Sequence, residues 1–253
     1  MPNANKQSWN AHASRFYEED YLSLEDIDFD SYDYPTDKDL NIIGNVDGLN
    51  ALEIGSGTCN CGIILAKNGA RVTCSDISEE QIKIGKQVAK KAGVEISTVC
   101  SDMADLSFAE TSSFDLVISM SAICYAEDFN KVCAEVNRVL KPGGRFIYSV
   151  PHPFVMCVGA TELWPHEKSN PNYSYKGPIE WKWNDEDAYT FTTYRMKISD
   201  YTNTLANNNL FVKRMEELFP VTPVPDDAFD ENELAVRTRY PSVLVVAAMK
   251  ILI

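Results

Sequence analysis

The residues best suited to chemistry lie in Leu52-Glu53-Ile54-Gly55-Ser56-Gly57-Thr58-Cys59-Asn60-Cys61-Gly62, where an apolar run ends beside an acid and the backbone is bared at two glycines. A side chain at Gly55 or Gly57 would hold a ligand away from the loop's N–H groups and from the start of the following helix. Asp76 comes about twenty residues later, at the end of Arg71-Val72-Thr73-Cys74-Ser75, where an acid grips a ribose in doubly wound folds. The loop therefore reads as a cradle for a nucleotide-type cofactor. A pyrophosphate loop leaves two residues between its second and third glycines, whereas the next glycine after Gly57 is Gly62. Glu53 would also repel a phosphate and suits a cationic ligand, an ammonium or a sulfonium, which turns the reading away from NAD.

The elements needed to position these residues follow from the periodicity. From about Gly48 to Val150, apolar runs alternate with amphipathic segments, the sequence form of repeated βαβ units and hence of a parallel sheet. Strands are expected at Ala51 to Ile54, Arg71 to Ser75, Glu95 to Cys100, Phe114 to Ser119 and Arg145 to Val150. Ser78-Glu79-Glu80-Gln81 is a helix start, with Ser78 as N-cap, and Gly93 ends that helix after Lys90 and Lys91. Lys141-Pro142-Gly143-Gly144 is expected to close a helix from Asp128 to Leu140 and to turn the chain into the next strand. Near the C-terminus a helix from Asp200 to Asn208, a strand from Phe211 to Leu218 and the run Ser242 to Met249 predict an antiparallel edge.

Composition narrows the partners. A length of 253 residues with 45% hydrophobic content suits one α/β domain with an elaboration. A formal charge of −14 argues against a phosphate backbone as partner, because nucleic-acid affinity is built largely from Lys and Arg contacts. Lys83, Lys86, Lys90 and Lys91 form the densest basic stretch and have the spacing of one solvated helix face. No run approaches the roughly twenty apolar residues of a membrane helix, and the start lacks an apolar signal core, so a cytoplasmic location is expected. Seven scattered cysteines read as reduced thiols, and Cys59 with Cys61 is too small a set for a metal site, so no metal is expected.

The ordered series Glu53-x-Gly55-x-Gly57, Asp76, Ser101-Asp102-Met103, Phe114-Asp115-Leu116-Val117 and Leu140-Lys141-Pro142-Gly143-Gly144 resembles the class I S-adenosylmethionine-dependent methyltransferases over about Leu49 to Pro153. The resemblance implies a Rossmann-like, doubly wound, mostly parallel seven-stranded sheet, with S-adenosylmethionine as cofactor and S-adenosylhomocysteine as product. It implies that Glu53, Gly55, Ser56 and Gly57 line the methionine end of the cofactor, the acid favouring its ammonium. Asp76 would accept from both ribose hydroxyls, Ile77 would pack on the adenine, and Asp102 and Met103 would meet its amino group and ring. Ser119, Met120 and Ser121 would border the sulfonium. For Asp102 and Asp115, turn chemistry at a loop edge is the competing reading.

On this footing the chain divides into an N-terminal helical segment over 1–45, a cofactor-binding core over 46–150, an aromatic insertion after the fifth strand over 151–198, and a C-terminal helix and strands over 199–253, all within one domain. The first segment, with Trp9, Phe16, Tyr17 and Tyr21, reads either as a surface helix or as a lid over the cofactor. The insertion gathers Phe154, Trp164, Tyr173, Trp181, Trp183 and Phe191, and a connection this long suits a binding element. Tyr17, Tyr21, His152, Trp164, Trp181, Trp183 and Arg239 are the candidate substrate contacts. His152, between Pro151 and Pro153 beyond the fifth strand, is the candidate general base, or else a histidine that shapes its loop. Arg195, Arg237 and Arg239 could pair a substrate carboxylate or the acids Asp226, Asp227 and Glu231. The expected activity is methyl transfer to N or O of a small metabolite by a monomer or homodimer. The alternatives are a protein or tRNA acceptor, a cofactor-binding module without turnover, and a modified cofactor sharing the adenosine half.

Overall fold

Runs of apolar, β-branched residues pair in parallel at the centre of the computed structural model, which describes residues 2–16, 24–30, 34–162, 172–182, 186–221 and 231–251. β1 (Asn50–Ile54) lies between β2 (Arg71–Asp76) and β4 (Phe114–Ser119), with β3 (Ser97–Cys100) beyond β2 and β5 (Leu140–Pro151) beyond β4. These four pairings are parallel. β9 (Val243–Lys250) then runs antiparallel to β5, and β8 (Leu210–Leu218) antiparallel to β9. The result is one seven-stranded sheet in the order β3-β2-β1-β4-β5-β9-β8. The strand order reverses between β1 and β4, and ligands of open α/β sheets bind beyond the carboxyl ends at such a point.

Both faces of the sheet are covered, as parallel strands require. On one side pack α3 (Asn60–Lys67) and α4 (Glu79–Lys91), with Ile27, Phe29 and Ile43 from the segment before β1. On the other lie α5 (Phe129–Val139) and α7 (Ile198–Asn207), whose Phe129, Val136, Tyr201 and Leu205 pack on Leu52, Val117 and Tyr148. Each such side chain stabilises the fold by about 1.5–3 kcal/mol on burial. α4 begins where the sequence predicts: Ser78 Oγ accepts from the Gln81 N–H at 3.1 Å, and Lys90 and Lys91 sit in its last turn.

Two expectations need correction. The predicted turn at Lys141 to Gly144 lies inside β5, which begins at Leu140, directly after α5 ends at Val139. Leu140 pairs with Phe114 and Arg145 with Leu116, so the intervening residues bulge out of the ladder instead of turning the chain. β3 is shorter than predicted, beginning at Ser97 and not at Glu95. The insertion after β5 forms α6 (Pro153–Glu162) and a hairpin of β6 (Gly177–Trp181) and β7 (Phe191–Arg195). The N-terminal segment contributes α1 (Pro2–His12), and α2 (Asp37–Leu40) precedes β1, while α8 (Glu231–Arg237) precedes β9.

Candidate active site

Gly55 fixes how closely the loops at the switch point meet. Its φ of +62° lies in the left-handed region, and a Cβ there would stand 2.5 Å from Ala122 Cβ and 3.2 Å from Met103 Cε. The loops after β1, β3 and β4 therefore converge on one residue without a side chain. Gly62, which spaces the loop unlike a pyrophosphate binder, is a packing glycine: a Cβ would lie 2.3 Å from Cys74 Sγ and 2.8 Å from Glu53 Oε2.

Glu53 is 3% exposed and points under the loop, where its Oε2 accepts the Gly62 N–H at 2.8 Å and the Cys74 thiol at 3.4 Å. Burial pushes its pKa up to about 7, against the opposing pull of the Gly62 N–H. Asp76 ends β2 with Oδ2 accepting from the Gly57 N–H and Oδ1 from the Ser78 N–H, both at 2.8 Å. Burial raises its pKa too, while those two N–H groups favour the charged form. A carboxylate oxygen has more than one acceptor direction, so both oxygens of Asp76 can take a further donor from the ligand side. Ile77 is half-buried, and its carbonyl takes the Cys100 thiol at 3.4 Å. Asp102 Oδ1 accepts the Ala104 N–H at 2.8 Å, the turn chemistry set against its ligand role, and Met103 presses on Gly55.

Beyond β4, Ser119 is buried and its hydroxyl donates to the Ile54 carbonyl at 2.9 Å, sealing the ends of β1 and β4 together. Met120 Sδ accepts the Ser149 hydroxyl at 3.6 Å. Ser121 takes a φ of +50°, its N–H donating to Ser149 Oγ at 2.9 Å and its hydroxyl to Asp30 Oδ1 at 2.7 Å. The segment that carries Phe29 and Asp30 is thus drawn across the carboxyl ends of β4 and β5, a feature with no local sequence signal.

His152 sits beyond β5 as predicted, but fully buried. Its Nδ1 accepts the Phe154 N–H at 3.1 Å and its Nε2 donates to Glu217 Oε1 at 2.9 Å, so both ring nitrogens already have partners. Burial draws its pKa down, and Glu217 opposes this. Proton acceptance from a substrate would require one of these contacts to open. Trp181 stacks on Phe191 with ring centroids 4.5 Å apart, and Trp9 of α1 meets Phe191 and Tyr125 edge-on at 4.8 and 5.2 Å. Arg195 reaches Cys157, Arg237 donates to the Tyr34 hydroxyl at 2.7 Å, and Arg239 is exposed after α8. Tyr17, Tyr21, Trp164, Trp183, Asp226 and Asp227 lie outside the described residues. Among the described residues no His, Cys, Asp and Glu cluster could hold a metal, and no helix is long and apolar enough to cross a membrane.

Sequence reading missed the part played by α1. Its Asn10 Oδ1 accepts the Ser78 hydroxyl at 2.6 Å at the start of α4, and Lys6 pairs with Glu79 at 2.8 Å. On the other side Asn5 and Thr192 exchange two hydrogen bonds of 2.8 and 2.7 Å, and His12 meets Asp187 at 2.6 Å. The bare loop at Gly55 and the buried carboxylate of Asp76 fit a ligand that carries a ribose.

Comparison with known proteins agrees with this geometry. Residues 52–148 match the family described as a methyltransferase domain. An uncharacterized methyltransferase of Bacillus subtilis, YbaJ, is 36% identical over 118 residues, which are 47% of this chain and 46% of that protein. An uncharacterized Haemophilus influenzae protein is 24% identical over 84% of this chain and 85% of its own length. The chain thus spans about half of the first relative and most of the second. The crystal structure of an S-adenosylmethionine-dependent methyltransferase from Mesorhizobium loti superposes with a TM-score of 0.68 at 22% identity, over 83% of this chain and 95% of that one, which shows the shared fold.

Proposed function

We propose that this chain, which carries a class I S-adenosylmethionine-dependent methyltransferase domain, moves a methyl group from S-adenosylmethionine to an N or O atom of a small metabolite. The observation that carries the reading is the convergence of the loops after β1, β3 and β4 on Gly55, beside the Asp76 carboxylate. S-Adenosylmethionine supplies a methyl group already activated by its sulfonium. The chain's own residues then have to bind, orient and exclude water. Gly55 to Gly57 offer bare backbone, Asp76 holds the ribose, Ile77 and Met103 flank the adenine, and Asp102 turns the loop beneath it. Ser119 and Met120 form the floor at the end of β4, where an acceptor is brought up in line. Positioning of this kind can lower a barrier by roughly 7–11 kcal/mol.

A small acceptor is favoured by the roof. α1 and the β6–β7 hairpin bring Trp9 and Trp181 around the buried Phe191 and against Tyr125 of the turn after β4, and the half-buried Trp9, Tyr125 and Trp181 offer aromatic edges to a flat or cationic molecule. The acidic chain gives no corresponding field for RNA. The test is calorimetric titration with S-adenosylhomocysteine, followed by methyl transfer from labelled S-adenosylmethionine across panels of amines, phenols and carboxylates, with tRNA and basic proteins alongside. Micromolar binding and turnover on a small molecule are expected. Absence of cofactor binding sinks the reading, and turnover on tRNA or protein alone replaces its acceptor.

A further inference from the structure

We propose that the carboxamide of Gln81 is a further cofactor-contacting group, hydrogen-bonding a ribose hydroxyl of bound S-adenosylmethionine beside Asp76. The inference rests on the cofactor reading above and names a residue that reading does not use.

Gln81 stands at the third position of α4, where a Gln after a Ser N-cap ordinarily reaches back to the N–H of the cap. Only half of that capping box forms here. Ser78 Oγ accepts the Gln81 N–H at 3.1 Å, but the Ser78 N–H is taken by Asp76 Oδ1 at 2.8 Å. The local partner of the Gln81 side chain has been claimed by the carboxylate assigned to the ribose. Gln81 is 3% exposed, and its Oε1 is buried with no hydrogen-bond partner. A buried polar atom without a partner is costly and calls for an explanation.

Its position supplies one. Oε1 lies 3.9 Å from the place a Cβ on Gly57 would occupy, and the N–H of Gly57 is the group that donates to Asp76 Oδ2 at 2.8 Å. The orphan acceptor, the bare glycine and the carboxylate are therefore neighbours. An orphan acceptor selects a ligand that donates. Of the cofactor's groups, a ribose hydroxyl beside Asp76 donates and also accepts, so it satisfies the carboxamide whichever end faces it. The methionine carboxylate only accepts and would leave Oε1 as it is.

The same argument predicts an unusual pair of effects, since the orphan atom does nothing for the empty protein. Gln81→Met and Gln81→Leu keep the volume and remove the polar end. Without ligand, both variants are expected to melt at or above the wild-type temperature by circular dichroism. Their affinity for S-adenosylhomocysteine, measured by calorimetry, is expected to fall about five- to tenfold, the worth of one hydrogen bond to a neutral group. With the 2′-deoxy or the 3′-deoxy form of S-adenosylhomocysteine, whichever lacks the partner hydroxyl, the difference between wild type and variant should vanish. Unchanged affinity in the variants overturns the proposal, as does an equal loss on all three ligands. A clear drop in melting temperature, or unfolding of both variants, overturns it as well, because Gln81 would then support the empty fold. Failure of the wild type to bind S-adenosylhomocysteine is a separate result, and it removes the cofactor reading itself.

Discussion

Glu53 shows what a single residue contributes when the fold holds a carboxyl away from water. Its pKa of about 7 in the folded protein stands above the ordinary 4.5 that the unfolded chain recovers. A carboxyl raised in this way is protonated in the folded state while the unfolded chain has lost the proton, so its stabilisation is full below the unfolded value and disappears as pH rises through about 7. The difference amounts to about 3 kcal/mol by pH 8. Glu53→Gln keeps an acceptor for the Gly62 N–H and removes the ionisation. Its melting temperature should exceed that of wild type at pH 8 and approach it at pH 5. A variant less stable than wild type at pH 8 would contradict the buried, uncompensated charge. His152 acts in the opposite sense, its lowered pKa withdrawing stability as pH falls below its ordinary 6.5, but it is present in both proteins and cancels. Asp76→Ala belongs to the same scale. It removes the acceptor of two loop N–H groups and of the ribose as proposed, and should weaken S-adenosylhomocysteine binding at least tenfold by calorimetry, roughly the loss of one charged hydrogen bond. Affinity like that of wild type would take the ribose role away from it.

Among the elements, the loops after β1, β3 and β4 are joined by steric fit at Gly55, and that fit can be separated from backbone conformation. Gly55→Ala should lose about 1–2 kcal/mol for the left-handed φ alone, and more for the contact with Ala122. The double variant Gly55→Ala with Ala122→Gly relieves the contact and not the φ, so it should regain part of the melting temperature and of the cofactor affinity. No recovery would mean that the loops do not meet there. This part of the molecule was legible in the sequence because each signal is local: a glycine pair after a strand, an acid ending the next strand, a Ser cap. Where structure depends on distant partners, local signals misled or were silent. Lys141-Pro142-Gly143-Gly144 has turn chemistry in any context, and only pairing of Leu140 with Phe114 and Arg145 with Leu116 makes it a bulge. His152 is similar. Its prolines mark a constrained loop, but Glu217, which fixes the ring, is 65 residues away in sequence. Asn10 contacts Ser78 across 68 residues, and nothing near Asn10 announces it.

At the scale of the whole molecule, α1 is a strap between the cofactor side and the insertion. Three of its residues, Asn5, Ser8 and His12, follow helical spacing and face the hairpin, where they meet Thr192, Thr190 and Asp187. Lys6 and Asn10 form the next face and hold the start of α4. A chain of contacts therefore runs from Asp76 to Ser78, to Asn10, through α1 and into β7. Its first member is the carboxylate assigned to the ribose, so a ligand that steadies Asp76 is expected to steady the hairpin that carries Phe191 as well. Coupling of this kind needs a difference in interaction between the two states, and ordering of the strap supplies it. Hydrogen exchange should accordingly show slower exchange in Phe191 to Arg195 when S-adenosylhomocysteine is bound, although these residues do not belong to the cofactor loops. Asn5→Ala, which removes both bonds to Thr192, should abolish most of that slowing and leave the affinity for S-adenosylhomocysteine within about twofold, because the bonds lost are far from the ligand. Equal exchange in β7 with and without ligand would show that cofactor and insertion are independent. Slowing that persists in Asn5→Ala would show that the coupling does not need the Asn5–Thr192 pair and runs through the other contacts of β7, those of Ser8, Trp9 and His12 with the hairpin or that of β7 with the turn at Ile123–Tyr125.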